Sequence, residues 1–349
     1  MTVKKCVLTL DYELFFDKSG TPQVSMLNPT DLLLNVLEET SSKATFFIDT
    51  IYLNKLRNSN DIKNKILFDN IVNQLKRIVK QGSRIELHLH PHWIDAYQNG
   101  DQWVFPSYAH YKLGSLSDET VECLFKEGIL LLNEIAQSVD RDYRIMAFRA
   151  GGWCVEPFTK LRNLFVANNI LIDSSVVSGM KFSGEVHNID YSSILPNTHY
   201  YFSDSVYEQN STGVFLEIPI NGYQLSALNK IVWKMKSILA GEKAKIYGDG
   251  VGMQSVEHQT ILNKILKLFV GQGQYVQYSL DGYIDSDNLN NAINNSKLSF
   301  ISLVAHPKTL TKSSLDAIKY LTNVGCSFVS IDNISVSYTH LRAHETLRH

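Results

Sequence analysis

Three histidines spaced two residues apart, in the run Glu86-Leu-His-Leu-His-Pro-His92, have the clearest potential for chemistry. In an extended chain His88, His90 and His92 share one face, while the leucines between them face the other way. Neutral imidazole is a common metal ligand, and catalytic zinc usually takes three protein ligands and a water. The spacing therefore predicts a metal site, and a histidine-rich surface cluster is the alternative.

Two carboxylates, Asp11 and Glu13, follow the apolar run Val7–Leu10. Residues two apart on a strand share a face, so both side chains can point the same way. In barrel folds the catalytic groups lie at the carboxyl ends of the strands. Glu13 can therefore complete a metal site with His88 and His92, although acidic residues are also common in ordinary turns.

Three further ionisable residues, Arg149, Asp173 and His306, each follow or end an apolar run. An arginine at such a position can hold a catalytic carboxylate ionised and oriented. Taken singly, each of the three also fits an ordinary structural residue at a strand end. If the strand ends that carry these three residues lie at the same barrel face as the strand ends that carry Asp11 and His88, the five side chains together form a metal-hydrolase site.

The elements that must position these residues alternate between strands and helices. Strands are predicted at 7–10, 44–48, 84–90, 143–148, 170–173, 214–218, 298–304 and 327–331. Helices are predicted at 28–39, 61–80, 118–138, 156–168, 227–239, 255–270 and 313–323. This alternation indicates an α/β fold with a mainly parallel sheet. Two long loop-like segments, 93–114 and 174–212, are candidates for functional loops.

Composition excludes several classes of protein. The chain is 44% hydrophobic and 19% charged with a net charge of −2, which is not typical of disordered or nucleic-acid-binding chains. Its four cysteines are widely separated, which argues against a disulfide framework or a cysteine zinc site. The sequence shows neither a signal peptide nor an apolar run long enough to span a membrane. We therefore expect a cytoplasmic protein.

The last residues, Val336 to His349, resemble a translated sequencing-library adapter. We therefore expect residues 1–335 to form a single catalytic domain and residues 336–349 to be a non-native tail. The alternative is a genuine terminal helix with histidines at helical spacing.

In these motifs and their order the chain resembles the polysaccharide deacetylases of the NodB-homology type, carbohydrate esterase family four. The matching segments are Thr9-Leu-Asp-Tyr-Glu13, Ala44-Thr-Phe-Phe47, Gly82–His92, Phe148-Arg-Ala-Gly-Gly152, Ile172-Asp-Ser-Ser175 and Leu303-Val-Ala-His306. The resemblance extends from about Val7 to about Ile331. It implies a distorted (β/α) barrel with about seven parallel strands.

The resemblance also implies roles for the residues. Asp11 is the implied general base, Arg149 orients it, and His306 is the general acid. Glu13, His88 and His92 are the implied metal ligands, and Asp173 belongs to a further catalytic motif.

The sequence departs from the family pattern at four places, one of which is that no clear tryptophan accompanies Asp173. The usual adjacent aspartates are replaced by Asp-Tyr-Glu, which leaves open whether Asp11 or Glu13 binds the metal. Ala150-Gly-Gly-Trp153 replaces the usual proline and tyrosine, so the substrate-side wall differs. His90 is an extra candidate ligand.

The implied reaction is metal-dependent hydrolysis of N-acetyl or O-acetyl groups on a sugar or glycan precursor. Zinc suits two histidines and a carboxylate, while cobalt, nickel, manganese or iron are alternatives. Other interpretations are a metal-dependent amidohydrolase acting on a small amide and an inactive carbohydrate-binding protein of the same fold. No nucleic-acid partner is expected.

Overall fold

The computed structural model describes residues 3–184, 187–194, 199–252 and 274–334. Its strands are β1 (Lys4–Tyr12), β2 (Thr45–Asp49), β3 (Arg84–Leu89), β4 (Tyr97–Asn99), β5 (Gln102–Val104), β6 (Ala147–Ala150), β7 (Ile172–Asp173), β8 (Lys181–Ser183), β9 (Asn188–Asp190), β10 (Tyr200–Phe202), β11 (Phe215–Glu217), β12 (Gly222–Leu225), β13 (Gln274–Gln277), β14 (Phe300–Ala305) and β15 (Cys326–Val329).

The α-helices of the described residues are α1 (Asn28–Glu39), α2 (Thr50–Arg57), α3 (Ile62–Lys80), α4 (Asp118–Gln137), α5 (Thr159–Asn168), α6 (Ala227–Leu239), α7 (Ser286–Asn295) and α8 (Lys312–Asn323). None of the helices in this part of the chain is both long and apolar enough to cross a bilayer.

One large sheet organises the molecule, in the order β10-β11-β7-β6-β3-β2-β1-β14. All neighbouring strands in this order run parallel except β10, which is antiparallel to β11. β15 also pairs in parallel with β1, through Lys4 to Val7. The expected α/β fold with a curled, mainly parallel sheet is thereby confirmed, with eight parallel strands among the described residues.

The central strand β1 has one edge shared by two neighbours. β14 pairs with β1 from Lys5 to Leu10, so it occupies one edge along most of the strand. β15 pairs with the first half of β1, and β2 pairs with Thr9 to Tyr12. β15 and β2 must therefore follow one another along the opposite edge, because a strand has only two edges. This arrangement leaves the carboxyl end of β1 between β2 and β14.

Alternation along the strands separates two cores. On β1, Cys6, Leu8 and Leu10 belong to the larger core, which the helices cover, whereas Val7 belongs to a smaller core on the other face of the sheet. Residues two apart share a face, so the side of β1 that carries Val7 also carries Asp11. The small core therefore fills one end of the curled sheet, and the polar residues continue toward the carboxyl end.

Most predicted elements are present, with shifted ends. The helices at 28–39 and 227–239 have the predicted bounds, while the strand predicted at 143–148 begins only at Ala147. The sequence did not predict α2, α7, the short hairpins β4–β5 and β8–β9, or the strands β10, β12 and β13. The predicted helix at 255–270 and the expected tail at 336–349 lie outside the described residues.

Candidate metal centre

Three buried side chains meet at the carboxyl ends of β1 and β3. One ligand atom each from Glu13, His88 and His90 lies within 4.8 Å of the others. The Oε2 atom of Glu13 lies 3.2 Å from Nε2 of His88 and 2.5 Å from Nε2 of His90. Zinc bound at about 2.0–2.2 Å by such atoms requires the ligand atoms to converge in this way. The three residues therefore form a candidate site for a divalent cation.

The hydrogen bonding of His88 fits a cation at this position. Its Nδ1 lies 2.7 Å from the backbone oxygen of Arg149, which can only accept, so Nδ1 carries the hydrogen. Its Nε2 then faces the carboxylate of Glu13, which also only accepts when ionised. Either a second proton or a metal ion must lie between these two atoms. A backbone carbonyl that fixes the other ring nitrogen is a common feature of metal-binding histidines.

His90 enters the site because Gly151 leaves room for its ring. A Cβ atom at Gly151 would lie 2.6 Å from Nδ1 of His90 and 2.6 Å from the backbone oxygen of Leu89. Burial lowers the pKa of His90 to about 4, against the opposing effect of the Glu13 carboxylate. The ring is therefore neutral at neutral pH, which is the form that binds metals.

His92 lies outside this group of three, although the sequence gave it the role of a ligand. The alternation that would align it with His88 ends at Leu89, because Pro91 begins a 3₁₀ turn that extends to Ile94. The His92 ring instead stacks on Tyr111, with centroids 5.8 Å apart at 15°. Neither of its ring nitrogens has a hydrogen-bond partner among the described residues. The structure thus assembles His90, the extra candidate, with Glu13 and His88.

Asp11 is held beside the metal candidates by Arg149, as the sequence predicted. Nη1 of the fully buried Arg149 lies 2.5 Å from Oδ1 of Asp11. The guanidinium also donates to the Thr9 hydroxyl and to both the hydroxyl and the backbone oxygen of Ser174. Burial alone would raise the pKa of Asp11, but the charges of Arg149, His88 and His306 outweigh it and lower this pKa. Asp11 is therefore an ionised carboxylate in a fixed orientation.

His306 completes the candidate site from the end of β14. Its Nε2 lies 3.5 Å from Oδ2 of Asp11 and 3.8 Å from Oε1 of Glu13. Its Nδ1 lies 2.9 Å from Oδ2 of Asp281, whose Oδ1 accepts from the backbone N–H of His306. Burial lowers the pKa of His306, but the charge and hydrogen bond of Asp281 prevail and raise it to about 9. The protonated ring therefore presents an Nε2–H toward the carboxylates.

Lys308 fixes the second oxygen of Glu13. Its Nζ lies 2.6 Å from Oε1 of Glu13 and 2.7 Å from the backbone oxygen of Leu14. Burial raises the pKa of Glu13, but the charge of Lys308 and the hydrogen bonds from His88 and His90 outweigh it and hold this pKa well below its usual range. With Oε1 engaged by the lysine, Oε2 is the oxygen left for a metal ion.

Asp173, which the sequence placed among the catalytic residues, belongs to a neighbouring pair. Its carboxylate accepts from the Ser175 hydroxyl at 2.8 Å and from the Ser175 backbone N–H at 3.1 Å. It also hydrogen-bonds with Glu217, its register partner on β11. Burial, the charge of Asp173 and this hydrogen bond raise the pKa of Glu217 well above its usual value, so the pair shares a proton. The catalytic role expected for Asp173 stays a prediction.

Two site residues were missed by the sequence analysis. Asp281 lies in Ser-Leu-Asp-Gly, a pattern typical of a turn. Nothing in the neighbouring sequence indicates that its side chain contacts His306. Lys308 follows His306 by two residues, and a lysine is not a usual neighbour of metal ligands. Only the fold brings these two side chains to the carboxyl ends of β1 and β14.

An aromatic wall lies beside the candidate site. It consists of Phe16, Phe105, Tyr108 and Tyr111. The Phe16 ring is 4.4 Å from the ring centroids of both His90 and His92. Three of the four wall residues come from the long segment 93–114, which the sequence singled out as a candidate functional loop.

Comparison with known proteins returned solved structures alone. No family model matches the sequence, and neither does any curated protein. A putative polysaccharide deacetylase from Mycobacterium smegmatis is 14% identical, with a TM-score of 0.47, over 99% of this chain and 92% of the other. The peptidoglycan deacetylase PdaC from Bacillus subtilis is 11% identical, with a TM-score of 0.37, over 99% and 97% of the two chains.

The catalytic domain of a peptidoglycan N-acetylglucosamine deacetylase from Eubacterium rectale is also similar to this chain. It is 11% identical, with a TM-score of 0.38, over 95% of this chain and 89% of the other.

Proposed function

We propose that this chain is a metal-dependent hydrolase that removes acetyl groups from the nitrogen of an amino sugar in a glycan precursor. One observation carries the proposal. A cluster suited to a cation, made of Glu13, His88 and His90, lies against an oriented carboxylate, Asp11, and a protonated imidazole, His306. Hydrolysis of an amide requires these three functions within reach of one another.

A divalent cation held by these three side chains would polarise the acetyl carbonyl and lower the pKa of water. Two imidazoles and one carboxylate suit zinc, and cobalt, nickel, manganese or iron are the alternatives.

The remaining chemistry belongs to the protein. Asp11, ionised and fixed by Arg149, accepts a proton from the attacking water. As the carbon–nitrogen bond breaks, the amine must gain a proton. The Nε2–H of His306 points toward the same space and delivers that proton, and Asp281 stabilises the charged ring before the transfer. Each such acid–base role typically contributes about 10²–10⁴ to the rate.

The aromatic wall supports a sugar substrate. The apolar faces of sugar rings pack well on aromatic side chains, and Phe16 and Tyr111 both contact the histidine run. We propose a sugar precursor linked to a nucleotide or a lipid as its substrate, and the cytoplasm as its location. O-acetyl groups are a second class of target for the same residues, with a sugar hydroxyl as the leaving group that His306 protonates.

Replacing Asp11 with asparagine tests the assignment of the base. The Asp11→Asn variant keeps the size of the side chain but loses the proton acceptor, so turnover should fall by about 10²–10⁴. Metal content should stay at the parental value, because Asp11 lies outside the three-residue cluster. Full activity in this variant would refute the role of Asp11, and loss of the metal would make Asp11 a ligand.

A further inference from the structure

Helix α6 turns an apolar stripe outward. Its members, spaced at helical intervals, are Leu228 (70% exposed), Val232 (39%), Met235 (59%), Ile238 (72%) and Leu239 (82%). Spacings of three, four and seven residues put these side chains on one face of a helix. A stripe of this kind normally packs against a core, so its exposure calls for a partner.

The side of α6 that carries Trp233 and Lys236 is the one that contacts the body of the protein. Nε1 of Trp233 donates to the backbone oxygen of Tyr283 at 3.3 Å, and Nζ of Lys236 lies 2.6 Å from Oδ2 of Asp285. The helix is thus docked through polar contacts, with its apolar side outward. This is the reverse of the usual orientation of a surface helix.

The charges around the stripe are positive. α6 contains three lysines and neither aspartate nor glutamate. Over residues 226–245 there are five lysines (230, 234, 236, 243 and 245) and one acid, Glu242, although the whole chain has a net charge of −2. Lysines that flank an apolar helical face, with a tryptophan at its side, are typical of helices that lie in a membrane interface.

We propose that α6 docks the protein on a bilayer that contains anionic phospholipids. The stripe inserts among the acyl chains just below the headgroups, and Lys234, Lys243 and Lys245 contact the phosphates, since Lys236 pairs with Asp285 and Lys230 lies on the inner side of the helix. With 13 residues the helix is about 20 Å long, too short to span a hydrocarbon core of about 30 Å, so it lies flat on the surface. Positive charge beside the stripe is what favours a lipid surface over an apolar protein partner.

The docking face is close to the candidate site. Lys230 and Trp233, on the inner side of α6, line a cavity of about 240 Å³ that Asp281 also lines. Asp281 is the partner of His306. Docking through α6 therefore brings the candidate site close to the bilayer, which favours the lipid-linked class of sugar precursor. This choice of substrate class rests on the proposed function, whereas the docking itself does not.

Vesicle co-sedimentation with the full chain tests the proposal without any activity measurement. Vesicles of phosphatidylcholine with 30% phosphatidylglycerol should bind the parent protein, and pure phosphatidylcholine should bind it much more weakly. The triple variant Leu228→Gln, Met235→Gln, Leu239→Gln should lose at least about tenfold in partitioning, because three inserted side chains become polar. These three positions are exposed, so the fold should tolerate the change.

A matched control carries the same substitution at exposed apolar positions on α3 and α4. These positions are Ile62 (66% exposed), Ile66 (54%) and Leu130 (69%). The control triple variant should bind vesicles like the parent. Equal binding by all three proteins, or no binding of the parent to anionic vesicles, would overturn the proposal. A parental dimer in solution that only the α6 variant dissociates, without vesicle binding, would instead assign the stripe to a second copy of the chain.

Discussion

Single replacements of His90 and His92 by alanine separate two possible sets of metal ligands. The family resemblance assigns Glu13, His88 and His92, whereas the structure brings together Glu13, His88 and His90. In the structure, Nε2 of His90 lies 2.5 Å from the carboxylate oxygen that would bind the metal. The His92 ring stacks on Tyr111 instead. His90→Ala should therefore weaken metal binding much more than His92→Ala.

The size of the effect follows from the number of ligands. Structural zinc sites with four protein ligands bind with about 10–16 kcal/mol, or roughly 2.5–4 kcal/mol for each ligand. Since about 1.4 kcal/mol corresponds to a factor of ten, loss of His90 should raise the Kd about 10²–10³-fold. Loss of His92 removes a neighbour of the site and no ligand, so the Kd should change by less than about tenfold.

Competition with a chromophoric chelator for zinc or cobalt gives the Kd of each variant. Removing the His92 ring leaves a cavity in the aromatic cluster, so thermal unfolding must be measured alongside. His92→Phe serves as a second variant that keeps an aromatic ring at the position and removes both nitrogens. Strong loss of affinity in both His92 variants, with His90→Ala close to the parent, would refute the reasoning and restore the ligand set implied by the family.

Three other changes test the surroundings of the site. Gly151→Ala should displace the His90 ring and so lower metal affinity about 10–100-fold, as measured by the same chelator competition. Unchanged affinity would contradict the close packing of Gly151 against His90. Asp281→Asn should reduce turnover with metal content unchanged, because the general acid loses the carboxylate that holds its ring; parental turnover would refute this. Glu217→Gln should flatten the dependence of unfolding free energy on pH, measured by urea unfolding between pH 4 and 8. The folded parent retains a proton that the unfolded chain loses above about pH 4.3, so its stability falls by up to about 1.4 kcal/mol per pH unit until the raised pKa is passed. A variant that keeps the parental slope would contradict a shared proton between Glu217 and Asp173.

The sequence predicted the parts of the site that depend on local pattern. Two-residue alternation put Asp11 on the inner face of β1 and His88 on the inner face of β3, and the structure confirms both placements. The contact of Asp11 with Arg149 was expected from the family resemblance, and the structure contains this ion pair.

The rest of the site depends on where regular pattern stops. Alternation predicted His92 on the same face as His88, but Pro91 turns the chain directly after β3. The ring that lies with Glu13 and His88 is therefore that of His90. Asp281 and Lys308 reach the site from connections after other strands, and no local spacing encodes which turn residue will meet which strand end. Gly151 illustrates the same limit, since its role is to leave room for a ring distant in sequence.

Acetate release from N-acetylated amino sugars tests the central claim most directly. The full chain would be stripped of metal with a chelator, and one part would be reloaded with zinc. We expect acetate release from at least one nucleotide-linked or lipid-linked acetyl sugar by the reloaded protein, and none by the stripped protein. Equal release by both would contradict metal dependence, and tight sugar binding without release by the reloaded protein would contradict the hydrolase assignment.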